Sequence, residues 1–145
     1  PFRAMNKWGA NSILQRLTSD PRLNAIGDVV LQIKDHSVVK GHRPEDEQNE
    51  AYNAVPQRSK LPWPKGKHNA YPSKAQDVQA YPFPPPDTDG GDSAQREEQL
   101  YLLGLYKGIA EMMDIPLRTG SDWDRDGEIL DNGFDDLFHV EIDGE

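Results

Sequence analysis

The chain has 145 residues, no cysteine and a formal net charge of -9. This length suits one domain with a single core, and no stretch has the roughly 18 consecutive apolar residues of a membrane-spanning helix. Without cysteine, disulfide bonds, thiolate catalysis and cysteine-bound zinc are excluded, so any metal must be held by His, Asp or Glu. Residues 1–4 precede the first methionine and are interpreted as a cloning remnant, which leaves residues 5–145 as one domain.

The negative charge is concentrated in the last quarter of the chain. Residues 114–145 contain eleven acidic and two basic residues, whereas the rest of the chain has 14 of each. Apolar and aromatic residues among these acids indicate a folded segment, and folded acid-rich loops bind cations. No basic stripe can neutralise phosphates, so we expect no nucleic-acid partner. We also expect a monomer without a signal peptide and without membrane insertion.

The first half of the chain predicts helices around one short strand. Residues 11–17 can form a short helix, and an Asp-Pro pair then starts an amphipathic helix over residues 21–34. Residues 37–39 are a β-type run. Residues 44–53 read as another helix, whose acidic first turn suits the positive end of the helix dipole.

The middle of the chain predicts irregular structure on both sides of a strand. Prolines interrupt residues 54–72 repeatedly, and a long irregular stretch in a compact domain is typically a functional loop or a disordered segment. Residues 75–81 can form a strand. Residues 82–91 are too rich in proline and glycine for regular structure.

The last third predicts the longest helix, over residues 94–113, followed by strands at 115–118 and 137–142. Helices mixed with short strands, without regular alternation, predict an α+β domain in which a small antiparallel sheet packs against helices. The expected core stripe of the long helix is Leu102, Leu105, Tyr106, Ile109, Met112 and Met113.

Two histidines stand out because each has a carboxylate close in sequence and lies at the edge of a predicted strand. They are His68, followed by Asp77, and His139, preceded by Asp136. A catalytic zinc site needs three protein ligands and one position open for water, and two imidazoles with one carboxylate leave the site positively charged. His36 and His42 do not belong to such a pattern and are interpreted as surface or hydrogen-bonded residues.

Such a site also needs a base that does not bind the metal. Asp136 lies three residues before His139, a spacing that can place a carboxylate beside the metal without ligation. It would take a proton during attack on the peptide bond and deliver it to the leaving amine. The alternative for Asp136 is a turn residue at the start of a strand.

Three motifs together resemble the LAS group of zinc peptidases, which comprises D-Ala-D-Ala carboxypeptidases, D,D-dipeptidases and phage L-alanyl-D-glutamate endolysins. The resemblance covers residues 38–141. The first motif reads Lys-His at 67–68 and Pro-Ser-Lys-Ala-Gln-Asp at 72–77. The second reads Gly-Ser-Asp-Trp at 120–123 and Asp-Leu-Phe-His-Val-Glu at 136–141. A weaker third motif is Lys-Gly-His-Arg at 40–43, followed by Gln48.

The resemblance implies a role for each matched position. Three residues would bind zinc, Asp136 would be the base, and Arg43 would bind a substrate carboxylate or the developing oxyanion. The alternative for Arg43 is a surface arginine that pairs near Glu45. The implied zinc ligands are His68, Asp77 and His139, and the implied substrate-binding residues are Gln48, Ser73 and Trp123.

The sequence departs from the family pattern in three places. The gap between His68 and Asp77 is longer than the commonest spacing, Ser121 replaces the second glycine, and Phe138 stands where proline is frequent. None of these removes a ligand or the base, so they affect substrate preference more than chemistry.

The resemblance implies a zinc-dependent hydrolase that cuts peptidoglycan stem peptides. A phage endolysin of the L-alanyl-D-glutamate type, accumulating in the host cytoplasm before it reaches the wall, is the first interpretation. A D,D-carboxypeptidase remains the alternative within this class. A non-catalytic calcium- or wall-binding module is the alternative from another class.

A second cation site is predicted close to the second motif. Asp122, Asp124, Asp126 and Gly127 copy the start of a calcium-binding loop. The twelfth position, normally a bidentate Glu, is Gly133, so the motif is incomplete. An acidic turn without a cation is the alternative.

Overall fold

The computed structural model describes residues 5–86 and 93–145. Residues 1–4, and residues 87–92 at the end of the proline-rich run, lie outside the described residues. No helix in the described ranges is long and apolar enough to cross a membrane. The elements in chain order are α1 Ala10–Leu17, α2 Pro21–Leu31, β1 His36–Lys40, α3 Glu45–Asn53, β2 Ala75–Ala80, α4 Ser93–Met112, β3 Leu117–Thr119 and β4 His139–Ile142.

These elements confirm the predicted α+β class. Asp20 caps α2 as its sequence predicts, because its side chain accepts a hydrogen bond from the Arg22 amide at 2.8 Å. The helix ends at Leu31, earlier than predicted, and the chain turns over residues 32–34 to enter β1. A single 3-10 turn, Lys67–Asn69, follows the irregular loop and leads towards β2.

The four strands form one antiparallel sheet in the order β1-β2-β4-β3. Side chains alternate between the two faces of such a sheet. In β2 and β4, Val78, Val140 and Ile142 point into the core. The residues between them therefore point to the opposite face, which carries no core cluster within the described residues.

Helices α2 and α4 cover the core face of the sheet. Leu23, Ile26 and Val30 of α2 pack with Leu102 and Tyr106 of α4, all fully buried. The prediction that the core stripe of α4 extends to the methionines is wrong, because Met113 is 36% exposed beyond the end of the helix and Met112 is 84% exposed. Met112 lies two positions beyond the buried Ala110, and this step of about 200° around the helix axis turns it away from the sheet.

Candidate active site

Two of the predicted metal ligands face each other across neighbouring strands. Asp77 of β2 and His139 of β4 are partners in the antiparallel register. Their neighbours Val78 and Val140 are buried in the core, so both polar side chains point to the open face of the sheet. His139 Nδ1 lies 3.6 Å from Asp77 Oδ1. The register of the sheet thus brings these two side chains together.

The third predicted ligand, His68, comes from the 3-10 turn before β2. Its Nε2 lies 3.2 Å from Asp77 Oδ1. One ligand atom from each of the three residues lies within 4.8 Å of the other two. In a tetrahedral zinc site with bonds of about 2.1 Å, two ligand atoms lie about 3.4 Å apart. The distances at Asp77 match this spacing, so the donor types and their geometry fit a zinc ion.

In each imidazole, the nitrogen that does not face Asp77 (the outer nitrogen) forms a hydrogen bond to a protein oxygen. His68 Nδ1 donates to the Gly41 carbonyl oxygen at 2.7 Å, and His139 Nε2 donates to Glu141 Oε1 at 2.7 Å. A carbonyl and a carboxylate only accept, so each outer nitrogen carries a proton. This leaves the inner nitrogens, His68 Nε2 and His139 Nδ1, to bind a metal.

Glu141 is a functional residue to which the sequence interpretation gave no role. It follows His139 by two positions and so lies on the same face of β4, which is the signal that could have identified it. Its carboxylate accepts from Arg118 Nη2 at 2.8 Å and pairs with Lys67 Nζ at 3.3 Å. Burial raises the pKa of Glu141, but His139 and Arg118 outweigh burial and lower it to about 2.

The carboxylates of Asp77 and Glu141 and the two imidazoles shift one another's pKa values. Burial lowers the pKa of His139, but hydrogen bonds to Asp77 and Glu141 outweigh it and raise the pKa to about 9. Burial alone would raise the pKa of Asp77, whereas the imidazoles of His68 and His139 hold it well below its usual range. A metal ion held by these residues would take the place of the proton on His139 Nδ1.

The predicted base, Asp136, lies in the turn that leads into β4 and lines the same cavity as the ligands. Burial and the negative charge of Asp77 raise the pKa of its carboxyl group. The turn is fixed by backbone bonds, since Asp136 N donates to Gly120 O at 2.9 Å and Gly120 N donates to His139 O at 2.8 Å. A Cβ atom at Gly120 would overlap the Asp136 carbonyl oxygen, so only glycine permits this approach.

Arg43 lies beside the ligand set. Its Nη2 is 3.5 Å from Asp77 Oδ2, and its Nη1 donates to Gln48 Oε1 at 3.1 Å. Gln48 is buried, and its amide nitrogen donates to Ser59 Oγ at 2.7 Å and to the Leu61 carbonyl oxygen. Gln48 lines the cavity, and both ends of its amide bind protein groups, which holds Arg43 and residues 59–61 in place.

The other two predicted substrate-binding residues lie in different surroundings. Trp123 lines the cavity, where its ring stacks on Phe134 with centroids 6.4 Å apart and lies 5.4 Å from the His139 ring. Ser73 is fully buried outside the cavity lining, and its hydroxyl donates to the Ala75 carbonyl at 2.6 Å. The structure therefore gives Ser73 a place at the entry of β2 rather than in the cleft.

His36 and His42 do not join the ligand set, in agreement with their interpretation. The buried His36 Nε2 bonds to the Tyr106 hydroxyl at 2.7 Å, on the core face of the sheet. His42 Nδ1 bonds to the Ala70 carbonyl at 3.0 Å.

Two adjoining cavities surround the site. The first, of about 810 Å³, contains His68, Asp77, His139 and Asp136 in its lining. The second, of about 670 Å³, is lined partly by Phe83, Arg96 and Gln99. The four residues Arg58, Phe134, Asp136 and Phe138 line both. The open face of the sheet therefore carries a cleft that continues past the predicted base.

The predicted calcium residues form a compact turn. Ligand oxygens of Asp122, Asp124 and Asp126 lie within 4.8 Å of one another. Asp122 Oδ2 accepts the Gly127 amide at 2.9 Å, and Gly127 has a φ of +86°. A hydrogen bond with Asp126 raises the pKa of Asp131 to about 6. These internal bonds also form in an acidic turn without a cation, so the calcium site stays a prediction.

The fold is that of a small α+β domain with a four-stranded antiparallel sheet, and it has a counterpart among solved structures. The chain is similar to the crystal structure of the Serratia marcescens L-Ala D-Glu endopeptidase ChiX, with a TM-score of 0.65 and 19% sequence identity. The similarity covers 92% of this chain and 86% of that one. No family model and no curated protein matches the sequence. The likeness at this identity shows a shared fold.

Proposed function

We propose that the chain is a zinc-dependent peptidase that hydrolyses the L-alanyl-D-glutamate bond of peptidoglycan stem peptides. The observation that carries this proposal is the set of His68, Asp77 and His139 at zinc spacing on the open face of the sheet. The fold shared with an L-Ala D-Glu endopeptidase supports the choice of bond. The phage role and accumulation in the host cytoplasm rest on the sequence resemblance alone.

Each residue of the site has a separate role in the proposed peptide hydrolysis. Zinc held by this set would lower the pKa of a water molecule and polarise the scissile carbonyl. Asp136, whose pKa is raised by burial, accepts a proton from the attacking water and passes it to the leaving amine. Arg43, held between Asp77 and Gln48, presents its guanidinium to the carbonyl oxygen or to a substrate carboxylate.

The shape of the cleft favours an endopeptidase over the D,D-carboxypeptidase alternative. A carboxypeptidase closes one end of its cleft around a terminal carboxylate, whereas an endopeptidase must accommodate chain on both sides of the bond. The second cavity extends the cleft beyond Asp136 and Phe138. This continuation supports a site that accepts an internal bond.

A non-catalytic binding module is the alternative from another class. Such a module needs no proton acceptor beside its metal. The placement of Asp136 in the ligand cavity, with its approach fixed by Gly120, supports turnover instead.

The test is digestion of purified peptidoglycan by the wild-type protein and by His139→Ala, each with and without zinc. We expect new L-alanine carboxyl ends and D-glutamate amino ends with the zinc-loaded wild type, and a loss of at least about 1,000-fold in His139→Ala. His42→Ala removes a histidine outside the ligand set and serves as the matched control. Free D-alanine as the product would establish the carboxypeptidase alternative, and binding without cleavage would establish the binding module.

A further inference from the structure

One wall of the cleft is basic although the chain as a whole is acidic. Residues 51–76 contain five lysines and arginines and no acidic residue, in a chain of net charge -9. Four of the five line the 810 Å³ cavity beside the ligand set: Arg58, Lys60, Lys65 and Lys67. These four cations therefore line the same cavity as the ligand set.

These four cations differ in their partners. Lys67 is paired with the buried Glu141 at 3.3 Å, and Arg58 lies 3.5 Å from the exposed Glu50. Within residues 5–86 and 93–145, neither Lys60 nor Lys65 has an ion-pair partner. An exposed ion pair such as Arg58–Glu50 contributes little to stability. An unpaired ammonium group at a cleft wall can instead attract and pair with a negatively charged ligand.

The backbone that carries Lys60 and Lys65 is anchored. The buried Gln48 amide bonds to Ser59 Oγ and to the Leu61 carbonyl oxygen, on either side of Lys60. The Lys65 amide donates to the Pro62 carbonyl oxygen at 2.9 Å. An anchored loop presents its charges at fixed positions, which lowers the entropy lost when a ligand binds.

The Lys60 ammonium group also contacts an aromatic ring of the cavity lining. Its Nζ lies 4.5 Å above the centroid of the Phe134 ring, a cation–π contact. Phe134 stacks on Trp123, and Trp123 lies against His139. Two aromatic rings thus connect the Lys60 ammonium to His139 along the lining of the same cavity.

We propose that Lys60 and Lys65 form a carboxylate-binding subsite that selects stem peptides with free carboxylates near the scissile bond. The ligand class is an acidic peptide, because charge complementarity with two unpaired ammonium groups requires a negative partner. Stem peptides in which these carboxylates are amidated lose the attraction. This inference rests on the proposed function for its choice of substrate.

The test separates binding from turnover. Binding of L-alanyl-γ-D-glutamyl-L-lysine, with its carboxylates free or amidated, is measured by calorimetry on zinc-loaded Asp136→Asn protein. We expect the free acid to bind about tenfold more tightly than the amide, and Lys60→Gln/Lys65→Gln to remove most of this preference, the remainder coming from Arg43. Lys7→Gln/Lys107→Gln removes the same charge outside the cavity lining and is expected to keep the preference.

Equal binding of the two peptides, or an undiminished preference in Lys60→Gln/Lys65→Gln, would overturn the subsite. Loss of the preference in the control pair would also overturn it, since the effect would then come from net charge. Hydrolysis of the same peptides by the protein with Asp136 intact is measured in parallel. Failure to cut either peptide or peptidoglycan, with the binding preference present, would refute the proposed peptidase and leave the carboxylate subsite standing.

Discussion

At the scale of single residues, the site depends on groups that orient the ligands as much as on the ligands themselves. His68 is held by the Gly41 carbonyl and His139 by Glu141, so each imidazole presents a defined nitrogen. Such outer contacts raise the basicity of a ligand and fix its ring. Glu141 in turn is held by Arg118 and Lys67.

Replacing Glu141 with Gln tests this arrangement. The amide keeps the volume but removes the charge that holds His139, and it leaves Arg118 and Lys67 without their shared carboxylate. We expect zinc affinity to fall about 10- to 100-fold, measured by competition with a chromophoric chelator. Glu111→Gln, which removes an exposed carboxylate on α4, is the control. Unchanged zinc affinity in Glu141→Gln would show that Glu141 does not orient His139.

At the scale of elements, the entry turn of β4 sets the position of Asp136, the proposed base. Three backbone hydrogen bonds tie Asp136, Gly120 and His139 together. The proposed base and one proposed metal ligand are thus parts of one turn, which lies at the end of β3. Any side chain at Gly120 must move this turn.

Gly120→Ala is therefore expected to displace Asp136 without removing a catalytic group. A shift of about 1 Å in a catalytic group costs roughly 100-fold in rate, so we expect kcat/KM to fall about 100-fold, with a smaller effect on zinc affinity. The measurement is hydrolysis of a synthetic stem peptide.

Gly104→Ala is the matched control, because nothing lies within 4 Å of its new methyl group in α4. That substitution is expected to leave the activity intact and to stabilise the helix by about 0.5 to 1 kcal/mol. Full activity in Gly120→Ala would mean that the turn tolerates the displacement, contrary to this account of Asp136.

Local patterns predicted most elements, because helix caps, apolar periodicity and prolines act over a few residues. They could not predict which strands pair. The register that sets Asp77 opposite His139 depends on contacts between segments about sixty residues apart. The family-like motifs supplied the ligand set instead. Gln48 lines the cleft, whereas Ser73 does not, because a motif gives a position in sequence and not the direction of a side chain.

At the scale of the whole molecule, the hydrophobic core and the candidate active site lie on opposite faces of the sheet. One face packs on α2 and α4, and the other carries the cleft. His36 belongs to the first face, where its ring lies between Trp8 and Tyr106 at centroid distances of 4.9 and 5.3 Å. Burial lowers the pKa of His36 to about 4.

This pKa predicts acid destabilisation that does not involve the active site. Between pH 6.5 and pH 4 the unfolded chain protonates His36 and the folded chain does not, so stability falls as the pH falls through this window. The difference from the ordinary value of 6.5 corresponds to about 3 kcal/mol when the pH reaches 4. Denaturant unfolding of the wild type and of His36→Gln at pH 7 and pH 4.5 measures it.

The glutamine cannot gain a proton, so His36→Gln is expected to lose less stability than the wild type between the two pH values. His42→Gln replaces a histidine bonded at the surface loop and is expected to behave like the wild type. Equal pH dependence in all three proteins would show that His36 is not the source of the acid sensitivity.

The proposed function requires that His68, Asp77 and His139 bind one zinc ion on the open face of the sheet. Anomalous diffraction at the zinc absorption edge, from crystals of the zinc-loaded protein, locates that ion. We expect one peak at about 2.0 to 2.2 Å from His68 Nε2, Asp77 Oδ1 and His139 Nδ1, with the other nitrogen of each imidazole still bonded to Gly41 and Glu141. A zinc peak elsewhere, or none between these side chains, would refute this zinc site and the peptidase proposed from it.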